Sequence, residues 1–417
     1  MIDEFQSLES LPAPDPFGLL GREIMVEKET LYLVTSSKPE KAQEIFHDKL
    51  SLLFGNFEVI ELATLGYEET AEFMQKKQPG FSFSEIQKKF MLKMTDGFPA
   101  YLDLLLEQLG ICFPVSHAAL NGATEKGKIE VPTERLLVAF QKEIYDHRGR
   151  LALIFEKRVQ DCRRFAKDSA SYVYALLAIC SGKRKLNAIA SHIERKTRET
   201  KKILDRLAQE ELITKCGAFY IIKDFLFRFW LQEVFYRKNQ LHAPHSVMAA
   251  EGFSAALQKN YENVGTEIKS EVSDKAEALF KDFRNDLVEI DGRKWRCPQF
   301  SEVIMRKSHE RLITLLARAA RFKWVCKIAT EPVQEEDILL FQEDVKRFRK
   351  RVQRKVFIIL AGIEQNAKLL AQESKILLWD LHSFNTLLDL YNLPKIVIVK
   401  EPHGSNLGTV EEVVHSA

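Results

Sequence analysis

The sequence predicts a multidomain chain of α/β plus mainly α class, on three observations. Near the N-terminus, short apolar runs end in polar tips and lead into helical patterns. Between residues 166 and 240, three amphipathic helical patterns precede a pair of β-rich runs. Toward the C-terminus, β-branched apolar runs alternate with helical patterns, which is the signature of a parallel α/β layer. At 417 residues the chain exceeds what one core organises, and two to three domains are expected.

Composition narrows the class. Apolar residues at 46% and charged residues at 29% are ordinary for a globular chain. No run approaches the roughly twenty apolar residues of a membrane span, and the acidic, polar start is not a signal peptide. The six cysteines are scattered, without a C-x-x-C pair. That disfavours a structural zinc or a disulfide framework and fits a reducing cytoplasm. The net charge of +2 says little, whereas its distribution says more.

The first element is MIDEFQSLES, in which Ile2 precedes Asp3 and Glu4. An Asp-Glu pair at the carboxyl end of a strand is how P-loop ATPases hold Mg²⁺ of Mg-ATP through water and polarise the attacking water. Two solvated acids are the bland alternative. Next, the β-rich run 31–34 ends in Thr35-Ser36-Ser37 and enters a helix. Leu53-Phe54-Gly55, the pair Leu62 and Leu65, and the turn Thr95-Asp96-Gly97-Phe98-Pro99 follow.

Taken in order, these segments resemble the archaeal-type ATPases of the STAND branch of the AAA+ class, over about residues 1 to 240. That family shows a Walker B strand ending in Asp-Glu, a strand ending in Gly-Ser-Ser, a leucine-rich turn ending in Gly-Arg, an L-x-x-L segment and a T-G-G-x-P turn in a helical lid. This chain departs at Thr35, where glycine is usual, and at Asn56, where the family has Arg. It also lacks the phosphate-binding G-x-x-x-x-G-K-[ST]. The resemblance implies that ATP closes core, lid and winged helix into a switch. In it Asp3 would hold Mg²⁺, Glu4 would position water and Ser36 would act as sensor. Gly97 and Pro99 would form the lid turn, with Pro99 against adenine. Without the phosphate loop, the expectation is an N-terminally incomplete ATPase that does not hydrolyse ATP alone. Self-association, or a partner supplying the P-loop half, would complete it.

From 157 to 202 bases outnumber acids: Lys157, Arg158, Arg163, Arg164, Lys167, Lys183, Arg184, Lys185, Arg195, Lys196, Arg198, Lys201 and Lys202, against Asp161, Asp168, Glu194 and Glu199. Helical spacing in SASYVYALLAIC, KLNAIASHIE and TRETKKILDRLAQ, followed by a hairpin in LITKCGAFYIIKD, reads as a winged helix. The third helix of such a domain enters the DNA major groove with its N-terminal residues first. Arg195, Lys196, Arg198, Lys201 and Lys202 cluster there, although cations oppose the dipole at a helix start. DNA held mostly through phosphate is one reading, and an internal packing domain is the other. The aromatic tract after the hairpin reads as a core helix, and its Tyr220, Asp224 and Trp230 again resemble the archaeal-type ATPases.

In the last third, apolar runs at 321–330 and 354–363, a helix at 364–374, a strand at 375–381 and a helix at 382–391 form a parallel α/β pattern. It resembles the restriction-endonuclease-like domains fused to many archaeal-type ATPases. An active one needs an acid on one strand and [DE]-x-K on the next to bind metal. Glu331 has Val333 where Lys should stand. Asp286, Glu289 and Asp291, with Lys294 as a substitute base, are the remaining candidates, so a degenerate, binding-only module is expected. His242 and His245 lack companion ligands, and Cys297 reads as structural.

The resulting expectation is a partial AAA+ core at 1–65, a helical lid at 66–112, a helical linker at 113–165 and a winged helix at 166–240. A helical connector at 241–275, a nuclease-like α/β domain at 276–400 and a tail at 401–417 complete it. Three functions follow: a nucleotide-linked switch, a DNA-binding protein independent of ATP, or a nuclease with a degenerate site.

Overall fold

The computed structural model describes residues 1–27, 29–53, 57–60, 62–114, 128–162, 164, 170–237, 247–267, 272–290, 292–309, 312–348 and 352–397. Phe54, Gly55, Asn56, Arg163, Lys167, Asp168, His242, His245, Asp291 and the 401–417 tail, all singled out above, lie outside the described residues. The fold is mixed α/β and divides into two units, Met1–Ala63 and Thr64–Ala417.

In the first unit, α1 (Pro16–Val26) begins where the Asp15 carboxylate accepts the Gly18 amide at 2.9 Å, with Pro16 opening the first turn. Helix α2 (Pro39–Glu44) continues as a π-helical turn, Ile45–Lys49. The core is small: Phe5, Phe17, Ile45, Leu50 and Leu53, with the Phe46 ring centroid 5.1 Å from that of Phe5 in a tilted pair. The strand expected over 31–34 is reduced to one parallel bridge between Ile2 and Val34. The ladder stops there because Glu4 adopts left-handed backbone and the chain turns into a short helix, Phe5–Ser10.

The second unit opens with α3 (Tyr67–Lys77), β1 (Phe81–Ser82), α4 (Glu85–Thr95) and α5 (Pro99–Cys112). Ser84 and Gln87 form a capping box that starts α4. After it Asp96 and Gly97 adopt left-handed backbone, with φ of 49° and 70°, and Pro99 opens α5. The turn at Gly97 is held against the chain at Leu65, whose amide donates to the Gly97 carbonyl at 2.9 Å. A Cβ on Gly97 would lie 2.0 Å from the Leu65 carbonyl oxygen, so only glycine fits there.

Strand β2 (Ile129–Glu130) runs parallel to β1, and α6 (Thr133–Phe140), α7 (Arg150–Cys162), α8 (Ala170–Cys180), α9 (Leu186–His192) and α10 (Thr197–Gln209) follow. An antiparallel hairpin of β3 (Thr214–Cys216) and β4 (Phe219–Ile221) comes next, and Lys185 bridges to its second strand at Phe219. Helix α11 (Phe225–Trp230) runs on as π-helical Leu231–Tyr236, and α12 (Val247–Glu267) closes this region. One apolar core extends from Met74 to Val264, so the segments expected as lid, linker, winged helix and connector share it. The aromatic tract supplies its centre: Phe155 lies 5.4 Å from Phe227 and 5.7 Å from Trp230.

The remaining elements are α13 (Val272–Asp282), a hairpin of β5 (Asp286–Ile290) and β6 (Arg293–Cys297), and a sheet. The sheet's strands are β7 (Glu302–His309), β8 (Leu312–Arg318), β9 (Lys323–Ala329), β10 (Val352–Ile359) and β11 (Leu377–Asp380). Their order is β11-β10-β9-β8-β7, parallel across β9, β10 and β11 and antiparallel across β7, β8 and β9. Helices α14 (Glu335–Arg347) and α15 (Gln365–Glu373) are the right-length crossovers, and α16 (Leu381–Leu390) follows the last strand. Alternation in the strands sorts two faces. Trp324, Cys326, Ile328, Val356 and Ile358 pack with α13 and α16, whereas Val325, Phe357 and Ile359 pack with α14 and α15.

The β3–β4 hairpin belongs to two of the cores of this unit. Cys216, Phe219 and Ile221 join the core beneath the sheet, and Tyr220 joins the helical core with Ile213 and Ile222. Its turn is seated on β5, where the Ala218 amide donates to the Leu287 carbonyl at 2.8 Å. A Cβ on Gly217 would meet that same oxygen at 2.4 Å.

Candidate functional site

The acidic pair and the hydroxyl tip come together in the first unit. The Ile2–Val34 bridge sets Asp3 beside Thr35, whose hydroxyl donates to Asp3 Oδ1. Glu4, at φ 49°, accepts the Gln6 carboxamide and, at 3.1 Å, the Ser37 amide. Those hydrogen bonds, Gln6 first and Ser37 next, hold the Glu4 carboxyl below its ordinary range. Ser36 turns away, its Oγ accepting the Lys38 amide at 3.0 Å.

Both carboxylates already serve protein donors, and among the described residues no group of three or more His, Cys, Asp or Glu is placed to hold a metal. The nearest match to a phosphate loop, Gly122 through Gly127-Lys128-Ile129, ends in Ile rather than Ser or Thr and runs into strand β2. A phosphate loop instead leads into a helix, whose N-terminus receives the anion. Gly97 is buried and engaged by the Leu65 backbone, and Pro99 is exposed at the start of α5.

The basic run of 157–202 divides between interior and surface. Arg158 Nη1 donates to Asp224 Oδ2 at 2.6 Å, as does the Tyr101 hydroxyl at 2.6 Å, while Asp224 caps α11 through the Phe227 amide. Arg184 and Arg228 share the buried Asp389 at 3.3 and 2.9 Å, and Lys185 pairs with Asp286 at 2.6 Å. Arg184, Arg228 and Lys185 thus tie the helical region to the α/β region, whereas Arg158 braces the helical region itself.

The end of α10 is different. Thr200, Leu204 and Leu207 bury one face, and Lys196, Arg198, Lys201 and Lys202 are exposed on the other, as is Arg195 in the preceding turn. Among the described residues none of Lys196, Arg198, Lys201 and Lys202 has an ion-pair partner, and no side chain caps the helix start. Such an end attracts anions both through the cations and through its open amides.

Of the acids proposed for a nuclease centre, Asp286 and Glu289 are engaged by separate partners. Asp286 is buried, bonded to Lys185 and to the Tyr391 hydroxyl at 3.0 Å. Glu289 and Lys294 face each other across the β5–β6 hairpin at 3.4 Å, and Val333 is core. The sheet brings a different residue to notice: Lys327, fully buried on β9 and paired with Asp344 of α14 at 2.7 Å. Val325 stands two residues before it, Thr314 of β8 stands opposite, and neither β8 nor β9 carries an acid. Sequence reading passed over Lys327, although a lone charge inside the apolar run WVCKIA was the available signal. Asp389 was legible only through partners far away in sequence, and Asp224, singled out in the aromatic tract, gains its ion pair only from the distant Arg158.

Comparison with known proteins finds no family model that matches the chain, and no curated protein that matches it. Among the described residues no helix is long and apolar enough to cross a membrane.

Proposed function

We propose that this chain is a DNA-binding protein that grips the phosphate backbone through the N-terminal end of α10. It would be built as a winged helix between an ATPase-like helical lid and a restriction-endonuclease-like α/β domain. The observation that carries the reading is the cluster Lys196, Arg198, Lys201 and Lys202: exposed and without ion pairs among the described residues, with Lys196 and Arg198 at the helix start, where the dipole disfavours cations. A structural role alone selects acids there.

The resemblance to archaeal-type STAND ATPases makes a nucleotide-linked switch the wider setting, and the pairing of Asp3 and Glu4 with Thr35 and Ser37 supports it. The sequence carries no G-x-x-x-x-G-K-[ST], so DNA binding by this chain is proposed to proceed without ATP. Cleavage is the weaker reading, because the strand pair around Lys327 has no acid to hold a metal.

Titration of labelled duplexes at several salt concentrations tests the proposal. Lys201→Glu with Lys202→Glu should weaken binding about tenfold or more, nearly equally across sequences, and flatten the salt slope by about two units. Reversal of Lys346 and Arg347 on α14 should leave affinity unchanged. If that reversal carries the loss instead, or if no binding is seen at low salt, α10 is not the DNA contact.

A further inference from the structure

The first unit carries a sheet edge that its described residues leave open. Ile2 occupies one side of the 33–35 backbone: its amide donates to the Leu33 carbonyl at 2.8 Å, and the Thr35 amide donates to the Ile2 carbonyl at 3.0 Å. In a parallel bridge this aims the amide and carbonyl of Val34 the other way, where no backbone partner meets them among the described residues. The flanking side chains are apolar and in water, with Leu31 94% and Leu33 55% exposed. The run at 57–62 is similar, with Val59 73%, Ile60 75% and Leu62 92% exposed.

Leu, Tyr and Val over 31–34 suit a strand. The devices that blunt an edge, such as Pro, Lys or an inward charge, are missing between 31 and 35. Charge selects the occupant. Residues 1–63 hold twelve Asp and Glu against five Lys and Arg, in a chain whose total is +2. Two copies meeting edge to edge would bring two acidic units together, whereas a basic strand would be drawn in.

We propose that the Val34 edge is a docking site for a β-strand from a different, Lys- or Arg-rich polypeptide, which extends the Ile2–Val34 pairing by strand addition. Backbone hydrogen bonds would supply the register, the exposed leucines the apolar contact, and the acidic surroundings the choice of partner. The inference is independent of DNA binding by α10.

Fluorescence anisotropy with the full chain tests it, using two labelled nine-residue peptides. Both alternate Val and Thr over five residues; one is flanked by lysine pairs and the other by glutamate pairs. The lysine-flanked peptide should bind about tenfold or more tighter. Val34→Pro, which removes the edge amide, should abolish that binding. Leu31→Lys, at a fully solvated side chain, should weaken it while leaving the unit folded, and Lys201→Glu with Lys202→Glu should leave it unchanged. Equal binding of the two peptides, no binding of either, or indifference to both edge variants would overturn the proposal. So would a dimer in sedimentation that Val34→Pro dissolves, since the occupant would then be a second copy.

Discussion

Thr314 on β8 stands directly opposite Lys327 on β9, in the antiparallel register of the sheet's centre. A buried ammonium thus has a hydroxyl-bearing residue across the strand and a carboxylate partner, Asp344, on the helix above. Taking charge out of water is costly unless it is paired, so the two halves of this pair are unequal. Lys327 is fully buried, while Asp344 is partly solvated and lies 3.4 Å from Arg347. Asp344→Asn should therefore cost about 3 kcal/mol, and Lys327→Met clearly less. Urea unfolding of both variants measures the asymmetry; equal losses would show that the lysine is not stranded by losing Asp344.

The same strands predict an inert centre. With no acid on β8 or β9, supercoiled plasmid incubated with the chain and Mg²⁺ or Mn²⁺ should remain intact. Metal-dependent nicking that disappears in Lys327→Met would place a nuclease site there after all.

Nucleotide should bind poorly. Phosphate affinity in P-loop proteins comes mainly from the loop amides and its lysine. Calorimetry with Mg-ATP should find an affinity no better than about millimolar and no turnover. Micromolar binding, or turnover lost in Glu4→Gln, would count against this.

Asp389 makes stability depend on pH in one direction. Burial alone raises its carboxyl, but Arg228 and Arg184 outweigh burial and hold it below its ordinary range. A carboxyl depressed on folding contributes stability that is complete above its unfolded value, about pH 4, and lost as pH falls through the folded value. Asp389→Asn should cost about 3 kcal/mol at pH 7 and flatten the acid limb of the stability curve. A variant whose acid limb parallels that of the parent chain would rule Asp389 out as its source.

Local stability should differ between the units. Among the described residues of 1–63, five buried apolar side chains make the core, and strand pairing is a single bridge. Amide exchange in 1–60 should run faster than in α8 to α10, where one core extends from Met74 to Val264. Equal protection would contradict the view that the first unit is marginal.

Much of this architecture could be read from local pattern. The runs at 321–330, 354–363 and 375–381 became β9, β10 and β11, because parallel strands buried on both faces are written as apolar runs. The three helices and hairpin of 170–221 were equally legible from period and turn residues. Strands β7 and β8 were not anticipated, since Arg306, Lys307 and His309 interrupt the apolar signal at their junction. The run 31–34 has strand composition but obtained only one partner, and composition cannot supply a neighbour. Cations of the 157–202 run looked alike in sequence. Only the fold separates Arg158, Arg184 and Lys185, which meet carboxylates on distant elements, from Lys201 and Lys202, which do not.

The β3–β4 hairpin has a consequence for register. Its pleat sends Phe219 and Ile221 to one hydrophobic core and Tyr220 and Ile222 to another. In most sheets a slip of one residue exchanges a buried face for a wet one. Here it would exchange two buried faces, pushing a tyrosine under the sheet and a phenylalanine among the helices. The strand pairing is therefore fixed from both sides, and the hairpin can neither slide nor peel without opening both interiors together. A hairpin so confined is a partition rather than a free arm.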